Sequence, residues 1–183
     1  RDTLRLSHLI DDLFQMAELQ AGGLRLHLEA ASLGDLISDA LESLTAQAAR
    51  RSIRLEGRVA PGVDPVLLDA SRTGRVLGNL LTNAMRHTPE GGVITVEASA
   101  TSDAVRIEVS DSGEGIAAED LPHVFDSFYR GELSRARSTG GAGLGLAIAR
   151  GIVERISDRV DGFQVSAPLG HVETALAVLA KSS

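Results

Sequence analysis

Hydrophobic and polar positions alternate along this chain with two periods, and the longer period marks helices. Apolar residues that recur every three or four positions predict four helical segments. They cover about 1–20, 33–51, 70–87 and 143–156. Ala21–Gly23 is expected to end the first helix. Ser32 is expected to cap the second, with Asp35 in the capping-box position.

Short alternating or apolar runs mark the strands. The runs are LRLHLEA, IRLEGRV, PVLLD, VITVEASA, AVRIEVSD, FQVSA and VETALAVLA. VITVEASA and AVRIEVSD flank the polar turn TSD and are expected to pair antiparallel. After Asp111 we expect a loop and a short helix containing EDLPHVFDSF. Helices on one side of a mixed or antiparallel sheet make this an α+β fold.

Composition narrows the classes of function. The chain has 183 residues, 43% of them hydrophobic, enough for one ordinary domain with an appendage. The net charge of -7 gives no basic surface, so nucleic acid is a poor candidate partner. Cysteine is absent, which excludes disulfides and thiolate metal sites. The sequence contains no run of about 18 apolar residues, so no membrane-spanning helix is predicted. The chain begins in mid-helix pattern without a Met, which suggests a piece of a longer protein.

The third predicted helix carries polar side chains along one edge. Asn79 and Asn83 are one turn apart and point the same way, and Arg86 and His87 follow them. A buried amide costs free energy unless it is hydrogen-bonded or binds a ligand. The pair is therefore a candidate ligand site, and the alternative is that the amides cap or cross-link neighbouring loops.

Two glycine-rich segments carry further candidate chemistry. In SDSGEGI a strand ends in Asp111, whose carboxylate can accept a hydrogen bond from an exocyclic amine. Gly113 and Gly115 would let a planar ligand approach the backbone, although a simple turn is the alternative. In STGGAGLGLAIARGIVE, four glycines lead into a helix whose free N–H groups can bind phosphate, and a flexible hinge is the alternative.

The order of these segments adds a resemblance. An Asn-rich helix, D-x-G-x-G after a strand, FDSFYR, and then G-G-x-G-L-G-L before a helix resemble the ATP-binding domain of histidine kinases, from about Arg1 to Glu154. That family belongs to a wider group with gyrase, the heat-shock chaperones and the mismatch-repair ATPases. The resemblance implies ATP and Mg²⁺ as ligands. It also implies a Bergerat-type α/β sandwich with a mixed, mostly antiparallel sheet, covered on one face by helices, plus an N-terminal helix.

The resemblance implies roles for individual residues. Asn83 would ligate Mg²⁺, and Asn79 would support the same site. Arg86 and His87 would lie near the phosphates, although the family more often has Tyr or Phe at the position of His87. Asp111 would accept a hydrogen bond from the adenine amine. The remaining nucleotide-binding residues would be Gly113, Gly115 and Ile116 in the purine pocket, Phe125 and Phe128 at the lid anchor, and Gly141, Gly143, Leu144, Gly145 and Leu146 in the second glycine segment.

Two parts of the pattern leave questions open. Arg130, Arg135 and Arg137 lie on the expected lid, and the resemblance does not choose which of them reaches the γ-phosphate. After Glu154 the family normally shows His-Gly-Gly and later Gly-x-Gly-Thr, whereas this chain lacks the glycine pair. The last hairpin is therefore the least secure part of the predicted sheet.

Asn79 and Arg86 are the candidate catalytic residues. Branches of the family that hydrolyse ATP carry a Glu one turn before the metal-binding Asn, where it acts as general base. An amide cannot take a proton, so Asn79 favours phosphoryl transfer to a protein acceptor over hydrolysis. The acceptor motif S/H-E-x-x-x-P is missing. His8 lies on the first helix without the following acidic residue and Pro, and we expect a surface or packing role for it.

The resemblance thus implies the catalytic domain of a sensor histidine kinase, which binds ATP but does not phosphorylate itself. Residues 1–22 would be the second helix of a dimerisation hairpin, and 23–183 the ATP-binding domain. Its partners would be the absent acceptor domain, a second copy in a homodimeric parent, and a response regulator. The domain would be cytoplasmic, and whether the parent is an inner-membrane sensor is left open. Two alternatives remain: a nucleotide-binding module without transfer activity, and a serine kinase of the anti-sigma type.

Overall fold

The described part of this computed structural model contains both helices and strands, and it covers residues 2–21, 26–100, 105–129, 142–155, 162–166 and 172–178. The helices are α1 (Asp2–Gln20), α2 (Leu33–Glu42), α3 (Thr45–Arg50), α4 (Ala70–His87) and α5 (Gly145–Arg155). The strands are β1 (Glu29–Ala31), β2 (Arg54–Val59), β3 (Val66–Leu68), β4 (Val93–Ala100), β5 (Val105–Asp111), β6 (Gly162–Ser166) and β7 (Val172–Val178). A short 3-10 turn covers Leu121–His123.

One five-stranded sheet organises these elements, in the order β2, β4, β5, β7, β6. Strands β2 and β4 are parallel, and the other neighbouring strands are antiparallel. The predicted pair β4 and β5 is confirmed, and its register sets Val96 opposite Val109. β1 and β3 form a separate antiparallel pair. The last two predicted strands pair with each other, so the expected mixed, mostly antiparallel sheet is confirmed.

The described strands β4 and β5 share a buried face, and α4 packs on it. Val105, Ile107 and Val109 alternate along β5 and are all buried, because residues two apart on a strand share a face. Their register partners on β4 include the buried Val96 and Ala98. The buried stripe of α4 packs against these two strands and against α2 and α5. Burying each large apolar side chain of this layer stabilises the fold by about 1.5–3 kcal/mol relative to leaving it exposed to water.

Side chains at both ends of α4 fix its boundaries. Asp69 is the N-cap, and its carboxylate accepts hydrogen bonds from the backbone N–H groups of Arg72 and His27, each at 3.0 Å. At the other end Thr88 is fully buried, and its hydroxyl donates to the Ala84 carbonyl at 2.7 Å. Since a proline follows Thr88, the helix cannot continue. The predicted range of this helix is confirmed.

The predicted single helix over 33–51 is wrong, because the helix is interrupted between α2 and α3. The Leu44 N–H donates to the Leu41 carbonyl at 3.1 Å, a step of three residues rather than four. The Ser43 hydroxyl donates to the Ala40 carbonyl at 2.7 Å. Such local hydroxyl bonds compete with the regular helical pattern. Ser32 does cap α2 by accepting a hydrogen bond from the Asp35 N–H at 3.1 Å.

Two further predicted elements are shorter than expected. The helix expected within EDLPHVFDSF is only the 3-10 turn, where the His123 N–H donates to the Asp120 carbonyl at 2.9 Å. The Asp126 N–H donates to the His123 carbonyl at 2.9 Å, again a step of three residues, so no α-helical bond follows the turn there. In the described part of LRLHLEA, residues 26–28 are not in a strand and only β1 forms, since the His27 N–H donates to the Asp69 carboxylate instead.

α1 packs its C-terminal end against α5. Leu19 is buried, and a Cβ added to Gly151 would lie 3.0 Å from its Cδ1 atom, so the small glycine admits the leucine. Glu18 forms an ion pair with Arg72 at 3.6 Å. None of the helices in the described ranges is both long and apolar enough to cross a membrane.

Candidate functional site

The outer edge of α4 carries the four polar residues that the sequence singles out. Asn79, Asn83, Arg86 and His87 are all partly buried. The fully covered side chains of the same helix form the opposite stripe against the sheet. The helix therefore separates a packing face from a polar edge that adjoins the other predicted segments.

The first of these segments is the start of α5. A Cβ added to Gly145 would lie 3.8 Å from the Asn79 Oδ1 atom, so the amide adjoins the first residue of this helix. The N–H groups of a first helical turn lack partners within the helix, and the helix dipole favours an anion there. An amide oxygen and a helix N-terminus thus lie side by side.

The second segment is the loop after β5. Asp111 ends the inward-facing row of this strand, is only 7% exposed, and accepts a hydrogen bond from the Gly113 N–H at 2.7 Å. An ionised carboxylate has several further lone-pair positions. Gly115 has a φ of +75°, which a side chain would strain. Ile116 beside it is half-buried.

This loop packs directly on the end of α4. A Cβ added to Gly113 would lie 2.8 Å from the His87 carbonyl oxygen, so only glycine fits. The contact brings Asp111 next to the polar edge of α4. An open cleft of about 830 Å³ borders it, lined by Gln47, Arg51, Thr82, Arg86, His87, Thr88, Pro89, Ser112, Gly113 and Glu114. Asn79, Asn83 and Asp111 are not among these lining residues, so the cleft adjoins only one end of the polar edge.

His87 faces an acidic neighbour in this cleft. Its Nδ1 atom lies 3.6 Å from the Glu114 Oε1 atom. Burial lowers the pKa of His87, and the contact with Glu114 opposes that shift without cancelling it. Burial therefore favours the neutral form of this imidazole more than in an exposed histidine.

The FDSFYR segment and the second glycine segment lie against each other. The Phe128 N–H donates to the Gly143 carbonyl at 2.9 Å. Gly143 has a φ of +74°, and an added Cβ would lie 2.6 Å from the Tyr129 carbonyl oxygen. Leu144, next to this contact, is buried, and Leu146 packs against the core.

The two phenylalanines of FDSFYR have different surroundings. Phe128 is 63% exposed and has a φ of +67°. Phe125 lies under the guanidinium of Arg150, 5.8 Å from the ring centroid. It lines a smaller cavity of about 310 Å³ together with Met16 and Leu19 of α1. Their expected contact with a lid remains a prediction, since Gly141, Arg130, Arg135 and Arg137 lie outside the described residues.

Comparison with known proteins gives this geometry a family. The family described as histidine kinase-, DNA gyrase B- and HSP90-like ATPase matches residues 68–172, which include α4, both glycine segments and most of the sheet. The chain belongs to this ATPase family. The match confirms the resemblance that the four motifs indicated.

A curated sensor protein and two solved structures are also similar to this chain. The sensor protein SphS of Synechococcus elongatus is 38% identical over 168 residues, covering 87% of this chain. This chain spans only 40% of the length of SphS. Full-length ShkA, solved in complex with AMPPNP, superposes with a TM-score of 0.84 at 27% identity, covering 97% of this chain and 36% of ShkA. The histidine kinase ThkA, solved with the response regulator protein TrrA, has a TM-score of 0.75 at 22% identity, which shows a shared fold. That match covers 98% of this chain and 49% of ThkA.

The described residues of this ATPase domain can bind Mg²⁺ only if a bound ligand supplies some of the coordinating oxygens. Among the described residues, no three His, Asp or Glu side chains are grouped closely enough to bind a metal. Asn79 and Asn83 offer amide oxygens, which suit a hard cation, beside a helix N-terminus that suits an anion. This donor set matches a cation that also binds phosphate oxygens.

Two residues of the site carried no predicted role. Glu114 lies within SDSGEGI, but its letter alone gives no sign that it faces His87. Arg51 follows the α3 segment, and only the tertiary structure brings it to the end of α4. For both residues the missing information was contact between segments distant in sequence.

Proposed function

We propose that this domain binds Mg²⁺–ATP along the polar edge of α4 and is the catalytic domain of a sensor histidine kinase. One observation carries the proposal. The Asn79 amide adjoins the start of α5, and Gly113 brings the buried Asp111 against the end of the same helix. An anion site and a carboxylate that can recognise a base are therefore held by one rigid element.

At the adenine end, Asp111 would accept a hydrogen bond from the exocyclic amine. Its Oδ1 atom accepts a hydrogen bond from the Gly113 N–H, which restrains the orientation of the carboxylate. Hydrogen bonds to charged groups are about twice as strong as neutral ones. The positive φ of Gly115 lets the backbone lie close to a planar ring.

At the phosphate end, Asn83 would ligate the metal and Asn79 would support it from one turn earlier. When bound, Mg²⁺ would neutralise charge on the triphosphate oxygens. Arg86 and the N–H groups at the start of α5 would stabilise the remaining charge on the transferred group. His87 would serve as a hydrogen-bonding partner of the phosphate oxygens.

The proposed reaction passes the γ-phosphoryl group to a histidine outside this chain. A nitrogen lone pair of that imidazole forms the new P–N bond, the bond to the β–γ bridging oxygen breaks, and ADP leaves. Asn79 cannot take a proton from water, so hydrolysis lacks a general base at this position. The phosphoryl group would then pass to a response regulator, the kind of protein with which the histidine kinase ThkA was solved.

Residues 1–22 are proposed to be the second helix of a dimerisation hairpin in a homodimeric parent, and 23–183 the ATP-binding domain. α1 supports this division, because four apolar side chains on it are left exposed. They are Leu9, Ile10, Leu13 and Phe14. A row of this kind normally covers a partner helix.

Binding is tested first, by calorimetric titration of ATP with Mg²⁺ and with a chelator. We expect Mg²⁺ to tighten binding to the wild type. Asn83→Ala should lose most of that gain while keeping its affinity in chelator. Arg75→Ala, an exposed position on α4, serves as the matched control and should keep the Mg²⁺ dependence. An unchanged Mg²⁺ dependence in Asn83→Ala would contradict the assignment of the metal ligand.

Transfer is tested by incubating the domain with γ-labelled ATP, alone and with a purified acceptor hairpin. We expect no labelled band from the domain alone and an acid-labile phosphoprotein when the hairpin is present. Binding of ATP without any transfer would favour a nucleotide-binding module. An acid-stable label would instead indicate serine phosphorylation.

A further inference from the structure

Arg51, the residue after α3, places its guanidinium across the end of α4. Its Nη1 atom donates to the Met85 carbonyl, and its Nη2 atom donates to the Thr88 carbonyl. Carbonyls at a helix C-terminus lack partners within the helix, and the dipole favours a cation there. The planar fork of an arginine is suited to bridging two such oxygens.

The two bridged carbonyls bracket the functional residues of this turn. Arg86 and His87 lie between Met85 and Thr88 in the sequence, so the fork spans the turn that carries both. The backbone of Arg51 also takes part, because its carbonyl accepts a hydrogen bond from the Gly91 N–H at 3.0 Å. One residue therefore ties the last turn of α4 to the loop that follows it.

The same turn supports the loop at the end of β5. Gly113 rests on the His87 carbonyl, and its N–H holds Asp111. A shift of the last turn of α4 would thus be felt first by Arg86 and His87, and then by the adjoining loop. The fork holds this turn together with the bonds that the Thr88 hydroxyl and N–H donate to the Ala84 carbonyl.

We propose that Arg51 is a positioning residue that fixes Arg86 and His87 for contact with the phosphate groups of the bound nucleotide. This inference rests on the proposed function, since the ligand is taken to be a nucleoside triphosphate. Arg51 also lines the open cleft, so a simple gain of positive charge is the competing explanation. The two carbonyl bonds favour positioning, because they engage both ends of the guanidinium.

The test compares Arg51→Lys and Arg51→Gln by calorimetric titration with ATP and with adenosine in Mg²⁺. Lysine keeps the charge but cannot span both carbonyls. We expect both variants to lose about tenfold in ATP affinity and to change by less than about twofold for adenosine. Arg50→Gln removes the same charge at the exposed neighbouring position and should leave both affinities within about twofold.

The possible outcomes separate the explanations. Wild-type ATP affinity in Arg51→Lys would overturn the proposal in favour of charge alone. An equal loss for ATP and adenosine would also overturn it, because it would indicate general loosening of the domain. If Arg51→Gln does not fold by circular dichroism, Arg51→Lys and the Arg50 control still decide the question. Failure of the wild type to bind ATP would instead refute the proposed function itself.

Discussion

Replacing one carboxylate oxygen of Asp111 by the NH₂ group of an amide should change which purine nucleotide the domain prefers. Asp111→Asn keeps the shape of the side chain, and its remaining oxygen can still accept the hydrogen bond from the Gly113 N–H. The other terminal atom becomes an NH₂ donor, which would face the amine of adenine. Inosine triphosphate carries an acceptor oxygen at the same ring position and should meet this donor favourably.

The expected magnitude follows from the burial of this carboxylate. Asp111 is 7% exposed, so water cannot easily replace a lost ligand contact. A hydrogen bond to a charged group contributes about 1.5–3 kcal/mol. ATP affinity should therefore fall about 10- to 150-fold, while inosine triphosphate should bind the variant more tightly than it binds the wild type. Because the Gly113 bond is kept, the free energy of unfolding should change by less than about 1 kcal/mol.

The assay is a calorimetric titration of both nucleotides into the wild type, Asp111→Asn and Asp111→Ala. The alanine variant also removes the bond to Gly113, so it should lose affinity for both nucleotides and part of its stability. Unchanged ATP affinity in Asp111→Asn would refute the role of this carboxylate in base recognition. An equal loss for both nucleotides would refute the donor–acceptor logic.

Three further predictions concern stability, and each is measured by denaturant or thermal unfolding. Gly143→Ala should lower the free energy of unfolding by about 1–3 kcal/mol, because Gly143 has a positive φ and an added Cβ would lie close to the Tyr129 carbonyl oxygen. Gly78→Ala should raise the free energy of unfolding by about 0.5–1 kcal/mol, because Gly78 lies within α4 and an added Cβ would meet nothing within 4 Å. Equal effects at the two glycines would contradict the argument from backbone strain. Burial lowers the pKa of the His87 imidazole in the folded protein, so as the pH falls the unfolded chain takes up a proton on this side chain before the folded protein does. The contribution of His87 to the free energy of unfolding should therefore be complete above the usual pKa of 6.5 and be lost as the pH falls through the folded pKa. His87→Gln should reduce the slope of stability against pH in this range. Asp64→Ala should cost about 1–2 kcal/mol, because this carboxylate accepts bonds from the Leu33 and Gly34 N–H groups at the start of α2, and an unchanged midpoint would contradict that role.

Local pattern was enough to predict the elements whose boundaries depend on local chemistry. Helix α4 has a capping Asp69 before it and a buried Thr88 followed by proline after it, so its range could be inferred from the sequence. The hairpin of β4 and β5 follows from strict alternation. The break after Ser43 could not be inferred, because its hydroxyl bond to the Ala40 carbonyl competes with an apolar period that continues unbroken.

The candidate site divides in the same way. Asn79 and Asp111 stood out because a polar residue beside an apolar pattern is conspicuous in a single sequence. Glu114 and Arg51 did not stand out, since charged residues at loop and helix ends are usually solvated. Both residues make contacts between segments distant in sequence, which no local period encodes.

The arrangement of α4 explains why so much of the site could be located from one helix. Its buried stripe locks the helix to β4 and β5, and the rigid backbone then fixes the direction of every other side chain on it. Asn79 alternates with buried leucines within a single turn, so the position of the amide is set by core packing rather than by a flexible loop. The least constrained part of α4 is its last turn, because the last four carbonyls of a helix have no hydrogen-bond partner within the helix. That is the turn that carries Arg86 and His87, and it is the turn across which the Arg51 fork lies.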